Sequence, residues 1–161
     1  MSIVLIGMPS CGKSTVGVLL AKALGYKFVD TDLLIQEREG TLLREIIARE
    51  GKEGFIRIEN EVLMGIKDEK AVISTGGSAV YCDEAMESLR KLGKTVYIRI
   101  SYGEMTKRLG NYSHRGVVIR NGTTLLDLYR ERAPLYERYA DVIVDSTKST
   151  GRTLEEILKK I

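Results

Sequence analysis

Residues 7–14 read Gly-Met-Pro-Ser-Cys-Gly-Lys-Ser and follow an apolar run, Ile3-Val4-Leu5-Ile6. The spacing is that of the phosphate loop, G-x-x-x-x-G-K-[ST], whose place is the turn from a first strand into a first helix. That helix is present in the sequence, since Val16, Leu19, Leu20, Ala23 and Leu24 fall at helical spacing. The residue types follow from the chemistry. Gly7 and Gly12 permit backbone angles and close approach that a side chain would block. Successive N–H groups of the loop then point into one concavity at the positive end of a helix and hold phosphate oxygens. Lys13 reaches the β- and γ-phosphates, and the Ser14 hydroxyl suits Mg²⁺. Gly7, Pro9, Ser10, Cys11, Gly12, Lys13, Ser14 and Thr15 are thus the expected nucleotide site. The alternative is an ordinary glycine turn before a helix. The motif specifies a nucleotide and leaves the reaction open.

The 161 residues suffice for one domain with a real core. A formal net charge of +3, with 29% charged residues, is too mild to imply a nucleic-acid partner. Lys159 and Lys160 read as an ordinary helix-end pair. No apolar stretch approaches membrane-spanning length, and Ile3–Ile6 is too short and lacks the basic leader of a signal peptide. Cys11 and Cys82 give no disulfide framework. The expected location is cytoplasmic, with neither membrane nor nucleic acid as partner.

Strand and helix alternate along the chain. Strands are expected at 3–6, 27–30, 71–75, 95–100 and 142–145, and helices at 13–24, 32–39, 42–50, 54–67, 84–92, 102–109, 125–139 and 153–160. Strands separated by helical crossovers predict an α/β fold, a parallel sheet covered on both faces. Such sheets bind ligands beyond the carboxyl ends of their strands.

Several segments beyond those ends carry chemistry. After the second strand comes Asp30-Thr31-Asp32, whose carboxylates, two apart on an extended segment, point the same way. One can help hold Mg²⁺ through water and the other can orient or deprotonate a substrate hydroxyl; the alternative is a helix N-cap at Thr31 or Asp32. After the third strand, Gly76-Gly77 permits close approach of a ligand to the backbone, where many phosphate-loop enzymes carry a metal-holding Asp; the alternative is a plain turn. Residues 110–124 lack periodicity and form a long irregular stretch, the usual form of a lid. Arg108, Arg115 and Arg120 lie in or beside it, and Arg115 is the one expected to close on the transferring phosphoryl group. His114 reads as a solvated loop residue. In Arg132-Ala-Pro-Leu-Tyr136, Pro134 predicts a kink that aims Arg132 at the cleft.

Taken in order, the phosphate loop, Phe28-Val-Asp-Thr-Asp32, the Phe55…Glu59 helix, the Gly-Gly turn, the lid and Glu131-Arg-Ala-Pro-Leu-Tyr136 resemble the shikimate kinase family. The resemblance spans 1–161 as a single kinase domain, with substrate binding at about 31–60 and a mobile lid at about 110–124. It implies a nucleoside-monophosphate-kinase-like, three-layer α/β/α fold with a five-stranded parallel sheet. It implies transfer of the ATP γ-phosphoryl group, with Mg²⁺, to the 3-hydroxyl of shikimate in aromatic amino-acid biosynthesis, by a monomer or weak dimer. By the family pattern Asp32 holds the acceptor hydroxyls and serves as base, Asp30 sits near Mg²⁺, and Arg132 binds the carboxylate. Gly76 and Gly77 line the ring, Arg108 lies by the nucleotide, and Arg115 is the lid arginine.

The departures concern the acceptor. The family reads Phe-Arg-x-x-Glu where this chain has Phe55-Ile56-Arg57-Ile58-Glu59. The carboxylate-binding arginine therefore falls on Ile56, and Arg57 lies about 100° further round the helix. Ser78 stands for the third glycine, Arg115-Gly116 for the lid Arg-Pro, and the proline flanking adenine is replaced near Gly151. Two acceptor readings stay open, a shikimate clamp with Arg132 alone or helped by Arg57, and another polyol or cyclic hydroxy acid. A nucleotide-binding regulator without turnover is the third alternative.

Overall fold

A computed structural model describes residues 1–110, 122–146 and 149–161. Five strands form one parallel sheet, β1 (Ser2–Ile6), β2 (Lys27–Asp30), β3 (Ala71–Ser74), β4 (Gly93–Arg99) and β5 (Val142–Asp145), in the order β2-β3-β1-β4-β5. Central β1 pairs with β3 through Ile3–Val72 and with β4 through Leu5–Val96. Val4, Leu5 and Ile6 are all fully buried. Neighbouring side chains on a strand point to opposite faces, so both faces of the sheet are covered. The edge strands β2 and β5 are only partly buried.

The covering helices are α1 (Lys13–Leu24), α2 (Thr31–Glu39), α3 (Leu43–Met64), α4 (Asp83–Leu92), α5 (Tyr102–Leu109), α6 (Leu125–Tyr139) and α7 (Thr150–Lys160). α1 packs on α7, and α3 on α4. The two helices expected over 42–50 and 54–67 run together as α3, interrupted at Gly51, whose φ of 69° and ψ of −178° leave the helical region. A 3₁₀ turn at Ala79–Tyr81, without a signal in the periodicity, leads into α4. α6 continues through Pro134 unbroken, so Arg132 reaches its position from a continuous helix.

The main core lies between the sheet and its helices, built on residues such as Leu5, Ile6, Leu20, Ile73 and Ile98. Each such aliphatic side chain contributes roughly 1.5–3 kcal/mol on burial. A second, small cluster of Ile35, Ile46 and Phe55 holds α2 against α3. Connections leave β1 toward β2 on one side, while β4 lies on the other. The loops after β1, β2 and β3 therefore meet in the crevice at the carboxyl ends. Among the described residues no helix is long and apolar enough to cross a membrane.

Candidate active site

The β1–α1 loop is shaped for an anion. Gly7 (φ 151°), Ser10 (φ 67°) and Gly12 (φ 97°) have positive φ. Gly7 also has no room for a side chain, since a Cβ there would lie 2.6 Å from the Ile98 carbonyl oxygen. Gly12 is required for its conformation alone, with open space around it. Lys13 is buried and donates to the carbonyls of Gly7 (2.8 Å) and Met8 (2.9 Å), which parks its ammonium over the concavity. Cys11 is buried beneath, its Sγ 3.6 Å from Lys13 Nζ. Ser10, Ser14 and Thr15 line the cleft with Pro9.

The two aspartates after β2 divide their work differently from the sequence expectation. The cap of α2 is Asp30, not Thr31 or Asp32: Asp30 Oδ1 accepts from the backbone N–H groups of Asp32 (3.0 Å) and Leu33 (3.4 Å). Its other oxygen accepts from Ser14 Oγ at 3.1 Å. Ser14 Oγ also lies 3.4 Å from Ser74 Oγ, at the end of the strand where other phosphate-loop enzymes carry an Asp. This set of hydroxyl and carboxylate oxygens suits a hard cation that completes its shell with phosphate and water. Among the described residues no cluster of three or more His, Cys, Asp or Glu offers an all-protein metal cage.

Freed from capping, Asp32 lines the cleft. Burial, then the nearby Asp30 charge, pushes its carboxyl up to about 6, against the opposing pull of Lys13. A carboxylate of that basicity is well matched to receive a proton near neutral pH.

The Gly-Gly turn brings further groups to the same wall. Gly76 N–H donates to Thr31 Oγ1 at 3.3 Å, tying the β3 and β2 ends together. A Cβ on Gly77 would stand 2.9 Å from an Arg132 guanidinium nitrogen and 3.0 Å from Pro9 Cδ. Arg132 is 1% exposed, lines the cleft, and donates from Nε to the Tyr81 hydroxyl at 3.3 Å. Tyr136 braces the turn by donating to the Gly77 carbonyl at 2.6 Å while stacking on Tyr97 at 5.2 Å. Behind Gly76 lies Glu59, fully buried, with Oε2 accepting from Ser78 Oγ at 2.6 Å. Its Oε1 has no hydrogen-bond partner among the described residues. Burial pushes the Glu59 carboxyl up to about 7; the Ser78 hydrogen bond opposes this, the Asp32 charge adds to it, and Arg132 pulls back.

The cleft has a volume of about 370 Å³. Lys13, Ser14, Asp32, Gly76, Gly77 and Arg132 of the expected site meet in it. Arg108 stands beside the phosphate loop, donating to the Ser10 carbonyl (3.4 Å) and Ser146 Oγ (3.0 Å), while Ser146 Oγ donates to the Cys11 carbonyl (2.9 Å). Arg57 is exposed and absent from the cleft lining. Ile56 is half-buried and packs on the main core. Arg115, Arg120 and His114 lie outside the described residues, as does most of the expected lid at 110–124. Glu59, Ser74 and Tyr81 were not expected as site residues. The one available signal was Glu59, an acid at a position where α3 turns its apolar face inward.

A cleft with a phosphate loop at one end and an aspartate and arginine at the other invites comparison with known proteins. The shikimate kinase family model matches residues 9–161. The shikimate kinase of Moorella thermoacetica is 38% identical over 98% of this chain and 94% of its own length. The structure of shikimate kinase from Aquifex aeolicus superposes with a TM-score of 0.87 at 35% identity, covering 99% of this chain and 95% of that one. Shikimate kinase from Acinetobacter baumannii, solved in complex with shikimate, gives a TM-score of 0.90 at 30% identity, covering 98% and 90%. A gluconokinase from Sinorhizobium meliloti, at 22% identity and a TM-score of 0.59, shares the fold alone. With a family match over nearly its whole length, and the loop, turn and arginine of that family converging on one crevice, this chain belongs to the shikimate kinase family.

Proposed function

We propose that the protein transfers the γ-phosphoryl group of Mg-ATP to the 3-hydroxyl of shikimate. The observation that carries this reading is that Lys13 and Asp32, the phosphate-side cation and the acceptor-side base, line the same cleft. Lys13 exchanges its loop carbonyls for the β- and γ-phosphate oxygens. Asp32 orients the acceptor hydroxyl and takes its proton as the new O–P bond forms and the bond to the ADP oxygen breaks. Mg²⁺ supplies charge neutralisation on the phosphates, and Ser14, with Asp30 behind it, would hold it. Arg132 pairs with the acceptor carboxylate, Gly76 and Gly77 give the ring room, Arg108 supports the nucleotide side, and Arg115 is the lid arginine that meets the transferring group.

One observation favours a second acceptor class: Ile56 brings an apolar side chain where the family motif has arginine. A coupled ADP-release assay with Mg-ATP separates the readings when shikimate is run beside quinate, dehydroshikimate and neutral polyols. Efficient turnover of shikimate supports the proposal. Silence with shikimate and turnover of another compound would assign the site to that acceptor, and ATP binding without any turnover would point to a regulator.

A further inference from the structure

Tyr81 gathers charge from two separate elements. Lys52 Nζ, on α3, lies 4.8 Å from its ring centroid, and Arg132 Cζ, on α6, lies 5.3 Å from it. Each contact of this kind is weak at a partly exposed site, and repulsion between the two cations offsets part of that gain. A pair of cations on one ring is therefore a poor device for stability and a good one for an anion.

The anion side of the ring can be located. Arg132 lines the cleft, and so does Phe55. Lys52 is three residues before Phe55 on the same helical segment, beyond the interruption at Gly51, so the two share a face. Arg57, two residues past Phe55, is exposed on another face. Asp32 and Glu59 crowd Gly76 with acidic oxygens, which suits hydroxyl groups there and repels a carboxylate toward Tyr81. Glu131, of opposite sign, also bears on Tyr81; of the charged residues around the ring Arg132 lines the cleft, and Lys52 shares a helical face with Phe55, which lines it too.

The geometry points to Lys52 as a specificity residue: its ammonium and the Arg132 guanidinium together bind the carboxylate of the hydroxy-acid acceptor. This rests on the reading above, in which the acceptor is shikimate. It restores on one turn of α3 the second cation that Ile56 does not supply on the next.

Steady-state constants for shikimate and for its uncharged methyl ester, in the wild type, Lys52→Gln and Lys52→Arg, test the assignment. Lys52→Gln should raise the KM for shikimate about tenfold, the lower end for a charged contact. Its kcat, its KM for Mg-ATP and its KM for the ester should hold, the signature of lost ground-state binding. Lys52→Arg should return the shikimate KM toward the wild-type value. An unchanged shikimate KM in Lys52→Gln, or an equal loss on shikimate and ester, overturns the role of Lys52 while leaving the kinase reading intact. A wild type that phosphorylates only uncharged acceptors overturns both.

Discussion

Asp32 and Glu59 converge on the empty side of Gly76: a Cβ built there would stand 2.8 Å from Asp32 Oδ1 and 2.8 Å from Glu59 Oε1. The charge on Asp32 is one of the causes that raise Glu59, whose carboxyl reaches about 7 while Asp32 stays near 6. Burial raises both carboxyls, and what divides their labour is place: Asp32 lines the cleft, while Glu59 is buried behind Gly76. Close to pH 7 Asp32 is the ionised base facing the acceptor, and Glu59 shares its site with a proton.

Gly76→Ala tests that arrangement directly. The added methyl meets both acidic oxygens inside contact distance, so Asp32 must move from its position in the cleft. Misplacement of a reacting group by about 1 Å costs on the order of 10²-fold, and overpacking costs about 1–3 kcal/mol of stability. The expected result is a folded protein with kcat/KM down about a hundredfold; wild-type kinetics would mean that the carboxylates tolerate displacement.

The pH profile should report Asp32. Its acid form cannot accept a proton, so kcat/KM, which reports the free enzyme, should fall as pH drops through about 6. Asp32→Asn should cut kcat by roughly 10²–10⁴ and remove that limb. A mutant with unchanged kcat would confine Asp32 to a structural role, although capping has already passed to Asp30.

Much of this was legible in the chain, and the misses have physical causes. The phosphate loop and the five strands could be read because local periodicity and glycine spacing encode them; the largest strand discrepancy is β4, which begins at Gly93 rather than Thr95. The order β2-β3-β1-β4-β5 could not be read, since it depends on which strands pair across 40 or more residues of chain. The α2 cap falls on Asp30 rather than on Thr31 or Asp32 because a cap is decided by backbone angles one residue either way, here an extended Asp30 before a helical Thr31. Glu59 and Lys52 were missed because their partners, Ser78 and Tyr81, come from the turn after β3. Spacing along one helix carries no information about what another loop will bring to it.

Glu59 should make stability depend on pH. An ordinary glutamate titrates near 4.5, and the buried one near 7. Between those values the folded protein holds a proton that the unfolded chain has lost. The contribution is therefore fully present below about 4.5 and is lost as pH rises through about 7. Glu59→Gln keeps an oxygen for the Ser78 hydroxyl and cannot ionise. Urea unfolding should find it more stable than wild type at pH 8 by roughly 1–3 kcal/mol, with little difference at pH 4. A mutant less stable than wild type at pH 8 would show that the carboxylate is well solvated or paired in the folded state.

Ile56→Arg places a cation one helical turn from Lys52. If Lys52 already holds the acceptor carboxylate, the new arginine competes for an occupied partner and meets like-charge repulsion. The shikimate KM should then improve little in the wild-type background, while in Lys52→Gln the same arginine should recover most of the loss. Residues sharing one ligand depart from additivity by about 0.5–3 kcal/mol, which a four-way cycle of KM values resolves. The substitution also removes a half-buried side chain from the main core, so the thermal midpoint should drop in both backgrounds alike. Equal improvement of KM in the two backgrounds would separate the residues and return the acceptor clamp to Arg132 alone.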